Sequence, residues 1–185
     1  RCTASSRLIV TKGIHDAFVD GVKKRLSALR VGDARDPQTQ MGPVASAEQL
    51  AVDESYIKIG QEEGAELVHG GVRPTKAPNG YFLSPTLFRC SSNKLRINQE
   101  EIFGPIASVQ CVSGYDEALQ VANDTEYGLS GGIITPDVKR QRHFRDNAKV
   151  GMVQINLPTA GMDFHAPFTG RKGSSYGPPE KGGYA

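Results

Sequence analysis

The chain has 185 residues, of which 38% are hydrophobic, and contains 21 glycines and 11 prolines, so it can form one domain with a buried core and much loop. Its formal net charge is only +2, from 22 basic and 20 acidic residues, which excludes a strongly charged tail, and no apolar run reaches the about 20 residues of a membrane-spanning helix. The three cysteines and four histidines lack the spacing of a metal site or a disulfide framework, which favours a reducing compartment such as the cytoplasm.

One strand and two helices are predicted in the first third of the chain. Residues 8–10 form a short β-prone run, and from Ile14 the apolar residues follow a helical period. The helix face predicted to be buried consists of Ile14, Ala17, Phe18, Val22, Leu26 and Leu29. A second helix is predicted to begin at Ser46, whose distance to Gln49 fits a capping box, and to end near Gly64.

Strands and helices alternate in the second half of the chain. After a β-prone pair at 67–68 and a connector rich in glycine and proline, the predicted elements are strands at 82–88 and 106–112, a helix at 115–123, a strand at 131–135, a helix at 138–148 and a strand at 150–155. Such alternation builds a parallel sheet with flanking helices. The predicted fold class is therefore α/β, doubly wound and mostly parallel. The basic run at 139–145 is interpreted as a solvated helix face, with nucleic-acid binding as the less favoured alternative.

The three cysteines differ in their surroundings. Cys2 has small polar neighbours and precedes a predicted strand, so its sulfur is predicted to lie on a loop, where a thiol can act as a nucleophile. A lone cysteine is nevertheless more often structural than catalytic. Cys90 and Cys111 lie beside or within predicted strands and are interpreted as small hydrophobic residues.

Two further clusters contain residues that can take part in chemistry. Glu100 and Glu101 precede Phe103 and a Gly-Pro turn, and from chemistry alone an ordinary loop is the favoured interpretation. Residues 167–173 combine glycines with two basic side chains, but no strand leads into them and no helix follows, so they do not fit a phosphate-binding loop.

Taken together, these segments resemble the aldehyde dehydrogenase superfamily. Residues 1–7 are similar to the end of that family's cysteine signature, and residues 101–105 are similar to its Glu-x-Phe-Gly-Pro signature. Residues 123–129 and 151–156 match two further stretches, in family order. The resemblance implies a partial catalytic domain over 1–156, continued by the substrate loop and extension of the same domain over 157–185, without the cofactor-binding domain.

The resemblance also implies a mechanism in which Cys2 is the catalytic nucleophile. Its thiolate would attack an aldehyde to give a thiohemiacetal and then a thioester, with NAD or NADP as hydride acceptor and the Cys2 N–H as an oxyanion donor. Glu101 would hold the nicotinamide ribose hydroxyls, and Phe103 would pack beside the nicotinamide. Asn156 would support the substrate loop, and Phe168 would form a wall of the aldehyde tunnel.

Within the superfamily, residues 2–10, 31–35, 156–163 and 171–177 are most similar to the α-ketoglutaric semialdehyde dehydrogenases. This implies oxidation of 2,5-dioxopentanoate to 2-oxoglutarate. Thr169 departs from the pattern, since the family has glycine there. Succinate semialdehyde or another aldehyde remains an alternative substrate, and a non-catalytic binding or assembly module is the alternative of another class. Retention of both Cys2 and Glu101 argues against such a module.

In the family, other segments supply the dinucleotide-binding half, the general-base glutamate, the oxyanion asparagine and a strand used in assembly. We therefore expect the 185-residue chain alone not to oxidise aldehydes. The whole enzyme is expected to be a homodimer or homotetramer that acts on a small aldehyde, without a metal, a nucleic acid or a membrane as partner. These residues do not distinguish NAD from NADP, because the missing half binds the adenosine ribose.

Overall fold

A computed structural model of the chain describes residues 1–75 and 79–179. The chain divides into two compact units. The larger unit comprises residues 6–111, and the smaller unit comprises residues 1–5 together with the chain from residue 112 onward.

The larger unit is built on a four-stranded sheet. Its strands are β1 (Arg7–Thr11), β2 (Glu66–His69), β3 (Thr86–Cys90) and β4 (Ile106–Val112), arranged in the order β1-β4-β3-β2. β3 is parallel to β4 and antiparallel to β2. The helices of this unit are α1 (His15–Ala28), α2 (Ala47–Glu62) and the short α3 (Arg96–Gln99).

Helices cover both faces of this sheet. Because successive residues of a strand point to opposite faces, Leu87 and Phe88 of β3 belong to different apolar clusters. Leu87 lies in the cluster that contains Val19 of α1, and Phe88 in the cluster that contains Leu50 and Ile57 of α2. Phe88 and Val109 are fully buried. The expected α/β class is therefore confirmed, with the sheet between two layers of helix.

The caps of α2 confirm its predicted ends. The Ser46 side chain accepts from the Gln49 N–H at 3.2 Å, and Gly64, just beyond the helix, has the positive φ of 84° that favours glycine there. Gln49 does not complete a capping box, however. Its side-chain amide instead donates to Asp53 and to the Ile102 carbonyl. This difference matters for the site described below.

The buried face of α1 agrees with the predicted one only in part: Phe18, Val22 and Leu26 pack against the cluster that contains Val19, but the other predicted residues do not. The helix buries His15 and Val19, whereas Ile14 is its N-cap and is 56% exposed. Ala17 is also exposed. The stripe that contacts the sheet runs through Val19 and is only partly covered by the apolar period, because packing against β1 and β2 sets the rotation of the helix.

The smaller unit contains α4 (Tyr115–Asn123), β5 (Ser130–Ile133), α5 (Val138–Asn147) and β6 (Met152–Ile155), followed by a 3-10 turn at Lys172–Ser174. β5 and β6 pair in parallel as a two-stranded sheet of their own. Asp137 caps α5 by accepting from the backbone N–H of Lys139 at 2.8 Å. The basic side chains of α5 are exposed, which agrees with a solvated helix face.

Lys172 binds the backbone at the end of α4 and in the segment that follows it. Its ammonium group donates to the carbonyls of Asn123, Thr125 and Tyr127, at 2.8, 2.9 and 3.3 Å. A cation there satisfies carbonyl groups that the end of a helix leaves without an intrahelical partner. The segment from residue 123 to residue 129 is therefore shaped by a residue more than 40 positions away.

Some strands begin or end at residues other than those predicted. β4 and α4 have their predicted ends, but β3 begins at Thr86 because Phe82 and Leu83 are buried in the loop before it and pair with no strand. Cys90 is buried as expected, whereas Cys111, near the end of β4, is exposed. The predicted single alternating sheet is divided: β4 pairs with β3, and β5 pairs with β6.

No helix in the described part of the chain is long and apolar enough to cross a membrane. Within the same residues, no cluster of three or more histidine, cysteine, aspartate or glutamate side chains could hold a metal ion.

Candidate active site

Cys2 lies at the centre of a tight turn in the smaller unit. The Ala4 N–H donates to the Arg1 carbonyl at 3.1 Å, so that Cys2 and Thr3 are the two central residues. The Cys2 side chain is exposed, while Thr3 is only 5% exposed. By contrast, burial raises the pKa of the Cys90 thiol to about 11, which keeps Cys90 protonated and unreactive near neutral pH. Cys2 thus has the accessibility that a nucleophile needs.

Thr159, in the loop that follows β6, holds this turn by hydrogen bonds. Its hydroxyl donates to the Thr3 carbonyl at 2.7 Å and lies 3.0 Å from the Ser5 hydroxyl. The methyl group of Thr159 packs on β5, since a Cβ added at Gly132 would lie 3.2 Å from it. Thr159 was not among the predicted site residues, because no local pattern connects it with a turn 156 positions earlier.

Asn156 joins the ends of β5 and β6, just before the loop that contains Thr159. It has a positive φ of 57°, a conformation that asparagine tolerates better than most residues. Its N–H donates to the Ile133 carbonyl at 2.8 Å. Its side chain accepts from the Thr135 N–H at 2.8 Å and donates to the Thr135 carbonyl at 3.0 Å. This bracing fits the structural role expected of Asn156.

Phe168 and Thr169 lie on the chain that returns after this loop. Phe168 is partly buried. Thr169 is not among the described non-glycine residues with a positive φ, so a side chain at this position introduces no backbone strain. The crowded residue is its neighbour Gly151, where an added Cβ would lie 2.0 Å from the Thr169 carbonyl oxygen. The close approach therefore requires glycine at 151, and the departure at Thr169 is accommodated.

The two adjacent glutamates of the larger unit have different surroundings. The Tyr56 hydroxyl donates to the Glu100 carboxylate at 2.6 Å, and the Arg96 guanidinium donates to both of its oxygens at 2.8 and 2.9 Å. Arg96, followed by Tyr56, holds the pKa of Glu100 below its ordinary value. Glu101 is exposed, and its carboxylate has no hydrogen-bond or ion-pair partner among the described residues. Glu100 is engaged in the fold, and Glu101 is available for a ligand.

The same alternation continues through the next three residues. Ile102 packs against the apolar cluster under α2, and its carbonyl accepts from the Gln49 side chain at 2.9 Å. Phe103 has a positive φ of 61° and is 55% exposed. Gly104 lies so close to Asp53 that a Cβ there would be 2.0 Å from the carboxylate. Every second residue is anchored, and the two between them, Glu101 and Phe103, project outward.

Asp53 supports this segment from inside α2. Its side chain is fully buried, with one oxygen accepting from Gln49 at 2.8 Å and the other without a hydrogen-bond partner. Burial raises the pKa of Asp53, and the Gln49 hydrogen bond only partly opposes that shift. Gln49 therefore joins Asp53 to the Ile102 carbonyl. These anchors were also missed from the sequence, since they come from α2 and not from the signature itself.

The stability of the chain should depend on the ionisation of Asp53. Because burial raises the folded-state pKa above the unfolded value, the folded chain binds this proton more tightly. Stability is therefore lost as the pH rises from about 4, the ordinary aspartate pKa, through the folded value. We expect Asp53→Asn to raise Tm relative to the parent by a few degrees near neutral pH, but not at low pH.

Thermal unfolding of both chains across the pH range checks this expectation. The matched control is Asp20→Asn, at an exposed position of α1. A Tm difference that does not grow with pH would show that Asp53 ionisation has no influence on folding.

An exposed carboxylate beside an exposed aromatic ring fits one part of a dinucleotide. A carboxylate can accept hydrogen bonds from both hydroxyls of a ribose, and an aromatic face can pack against a flat heterocycle. Glu101 and Phe103 thus form one candidate cofactor surface in the larger unit. Cys2 and Phe168, the other predicted site residues, belong to the smaller unit.

Comparison with known proteins agrees with these features. The model of the aldehyde dehydrogenase family matches residues 1–185. The α-ketoglutaric semialdehyde dehydrogenase of Bacillus subtilis (strain 168) is 40% identical over 184 residues, which are 98% of this chain and 38% of that protein. The chain therefore spans less than two fifths of the length of this relative.

Solved structures show the same relationship. HpcC from Thermus thermophilus is 39% identical with a TM-score of 0.93, over 98% of this chain and 36% of that one. Betaine aldehyde dehydrogenase from Staphylococcus aureus, solved in complex with NAD+, is 34% identical with a TM-score of 0.95, over 99% of this chain and 36% of that one.

Proposed function

Since this chain belongs to the aldehyde dehydrogenase family, we propose that it supplies the nucleophile and part of the cofactor surface of an NAD(P)-dependent aldehyde dehydrogenase. The observation that carries the proposal is the anchored segment at 100–104, which leaves only the side chains of Glu101 and Phe103 projecting to solvent. A segment held at alternate positions by side chains of α2 and α3 orients those two side chains without using them for folding. That is the arrangement a preorganised ligand surface requires.

The proposed chemistry begins at Cys2. As a thiolate, its sulfur attacks the aldehyde carbon, a C–S bond forms, and the carbonyl oxygen becomes the oxyanion of a thiohemiacetal. The backbone N–H of Cys2 donates to that oxyanion. NAD+ or NADP+, when bound, supplies the hydride acceptor that allows a thioester to form. Water then cleaves the C–S bond, which releases the carboxylic acid and returns the Cys2 thiol.

Three other residues position the reactants. Glu101 accepts hydrogen bonds from the nicotinamide ribose hydroxyls, and Phe103 packs against the nicotinamide ring. Phe168 forms a wall of the aldehyde tunnel. Glu101 and Phe103 take no part in proton transfer in this scheme; they hold the cofactor in one orientation. We further propose that residues 1–156 are part of the catalytic domain, that residues from 157 continue it, and that the rest of the enzyme contributes the dinucleotide-binding domain.

For the substrate we propose 2,5-dioxopentanoate. The support is the 40% identity to the Bacillus subtilis protein named for this semialdehyde and the likeness of the loop at 156–163. The alternatives are succinate semialdehyde and other aldehydes, and the match to betaine aldehyde dehydrogenase, at 34% identity, keeps a third substrate in the comparison.

Steady-state kinetics of the full-length enzyme test this proposal. We expect kcat/KM for 2,5-dioxopentanoate to exceed that for succinate semialdehyde and for betaine aldehyde by about tenfold or more, since discrimination between such substrates rests on differential binding of the transition state. A higher kcat/KM for either competitor would assign the enzyme to another substrate. Absence of oxidation with all three, with either NAD+ or NADP+, would overturn the dehydrogenase proposal itself.

A further inference from the structure

Thr159 acts on the cysteine turn through an ordered chain of hydrogen bonds. The Thr159 hydroxyl has one proton, and that proton is donated to the Thr3 carbonyl at 2.7 Å. The contact of 3.0 Å with Ser5 therefore requires the Ser5 hydroxyl to be the donor. The two hydrogen bonds therefore point the same way: Ser5 donates to Thr159, and Thr159 donates to the Thr3 carbonyl.

The consequence is that one peptide unit of the turn is held at both ends. The Thr3 carbonyl and the Ala4 N–H belong to the same planar peptide group. Its carbonyl accepts from Thr159, and its N–H donates to the Arg1 carbonyl at 3.1 Å. With that plane fixed, the backbone of Cys2 lies between the carbonyl groups of Arg1 and Thr3, each of which accepts a hydrogen bond.

The other end of Thr159 is fixed as well. Its methyl group packs against Gly132 of β5, where an added Cβ would lie 3.2 Å from it and 3.5 Å from the Gln154 carbonyl. A β-branched residue suits this position because the hydroxyl and the methyl group leave the same carbon in different directions. Thr159 thus connects the turn to the sheet of β5 and β6.

We propose that Thr159 is a positioning residue for Cys2, which fixes the turn so that the Cys2 N–H points at the oxyanion of the thiohemiacetal formed at its sulfur. This role depends on Cys2 being the nucleophile, as in the proposed function. In this role Thr159 acts through the Thr3 carbonyl and not on the substrate itself. Its effect is to preorganise a donor, and preorganised donors contribute much of the stabilisation of acyl-transfer transition states.

The matched pair Thr159→Val and Thr159→Ser separates the hydroxyl from the methyl group. Valine keeps the shape and the contact with Gly132 but removes the hydrogen bonds to Thr3 and Ser5, whereas serine keeps the hydroxyl. Both variants are made in the full-length enzyme. A third variant, Gly132→Ala, pushes on the Thr159 methyl group from β5 and leaves every hydroxyl in place.

Two reagents report on Cys2 in different ways. p-Nitrophenyl acetate acetylates a thiolate: the sulfur attacks the ester carbonyl, an oxyanion forms, and p-nitrophenolate leaves. Iodoacetamide alkylates the same sulfur by displacing iodide, without an oxyanion. Peptide-resolved mass spectrometry gives both rates at Cys2, and the exposed Cys111 in the same sample is the internal reference.

We expect Thr159→Val to lower the acetylation rate of Cys2, relative to Cys111, by about tenfold, as for a misdirected oxyanion donor. The alkylation ratio should remain within about twofold, and Thr159→Ser should restore acetylation. Gly132→Ala should give a smaller loss in the same direction. In aldehyde oxidation, kcat should fall by about tenfold, with KM little changed.

Equal losses of acetylation and alkylation in Thr159→Val would overturn the inference, because they would indicate a change in thiol access and not in the oxyanion donor. Unchanged acetylation would overturn it too, and so would a loss in Thr159→Ser as large as in Thr159→Val. A different result would show that the proposed function is wrong: the Cys2→Ser variant would still oxidise aldehydes. That result does not depend on the behaviour of the Thr159 variants.

Discussion

Replacement of Cys2 by serine is expected to lower kcat for aldehyde oxidation by more than about 10³-fold in the full-length enzyme, as is usual when a covalent nucleophile is removed. A serine hydroxyl is not ionised near neutral pH and forms an ester in place of a thioester, so both formation and release of the covalent intermediate become slower. KM should change much less than kcat.

The matched control for this prediction is Cys111→Ser. Cys111 is also an exposed thiol, but it lies near the end of β4 in the larger unit, away from the cysteine turn in sequence. It should retain nearly full activity. The measurement is the initial rate of NADH or NADPH formation, with circular dichroism to confirm folding. Retention of more than about a tenth of the parent rate in Cys2→Ser would contradict covalent catalysis by this thiol.

The second large effect is expected at Glu101. Glu101→Gln removes the charge that strengthens two hydrogen bonds to the ribose hydroxyls, and hydrogen bonds to a charged group contribute about 1.5–3 kcal/mol. The affinity for the oxidised cofactor should therefore fall by about tenfold to a hundredfold. Because a poorly held nicotinamide also misses its position over the substrate, kcat should decrease as well.

Glu100→Gln is the control that the structure provides. It makes the same chemical change one residue earlier, but it breaks contacts with Tyr56 and Arg96 in place of ligand contacts. We expect Tm to fall by only a few degrees, because both side chains of the Arg96–Glu100 pair are partly exposed to solvent. The cofactor affinity should remain close to that of the parent. Calorimetric titration with NAD+ and NADP+ measures both variants. If the affinity fell more in Glu100→Gln than in Glu101→Gln, the assignment of the two carboxylates would have to be reversed.

The anchoring of residues 100–104 bears on how such a surface tolerates mutation. The partners that anchor the segment come from α2 and α3, where Gln49, Asp53, Tyr56 and Arg96 lie. Changes in them should alter cofactor affinity only through the position of Glu101 and Phe103. Variants at Gln49 are therefore expected to combine a loss of stability with a weaker cofactor complex, whereas variants at Glu101 should weaken the cofactor complex and lower kcat without a loss of stability.

Much of the fold was accessible from local patterns. The ends of β4 and α4 were predicted correctly, because a strand of small and β-branched residues and a helix with its own apolar period are properties of consecutive residues. The Ser46 cap was predicted for the same reason. The buried face of α1 was predicted only in part and the start of β3 was not predicted, because packing against the sheet determines which apolar residues face inward and which of them join a strand.

In the candidate site, too, the sequence indicates some features and only the folded structure shows the others. The residue pattern and its family resemblance single out Cys2, Glu101 and Phe103, but no local signal shows what holds them. Tyr56 and Glu100 are 44 residues apart, and Thr3 and Thr159 are 156 residues apart. Hydrogen bonds over such separations exist only once the chain has folded, because they depend on the path of the backbone and not on neighbouring side chains. Short sequence segments therefore determine which groups can react, and the tertiary structure determines where those groups are held.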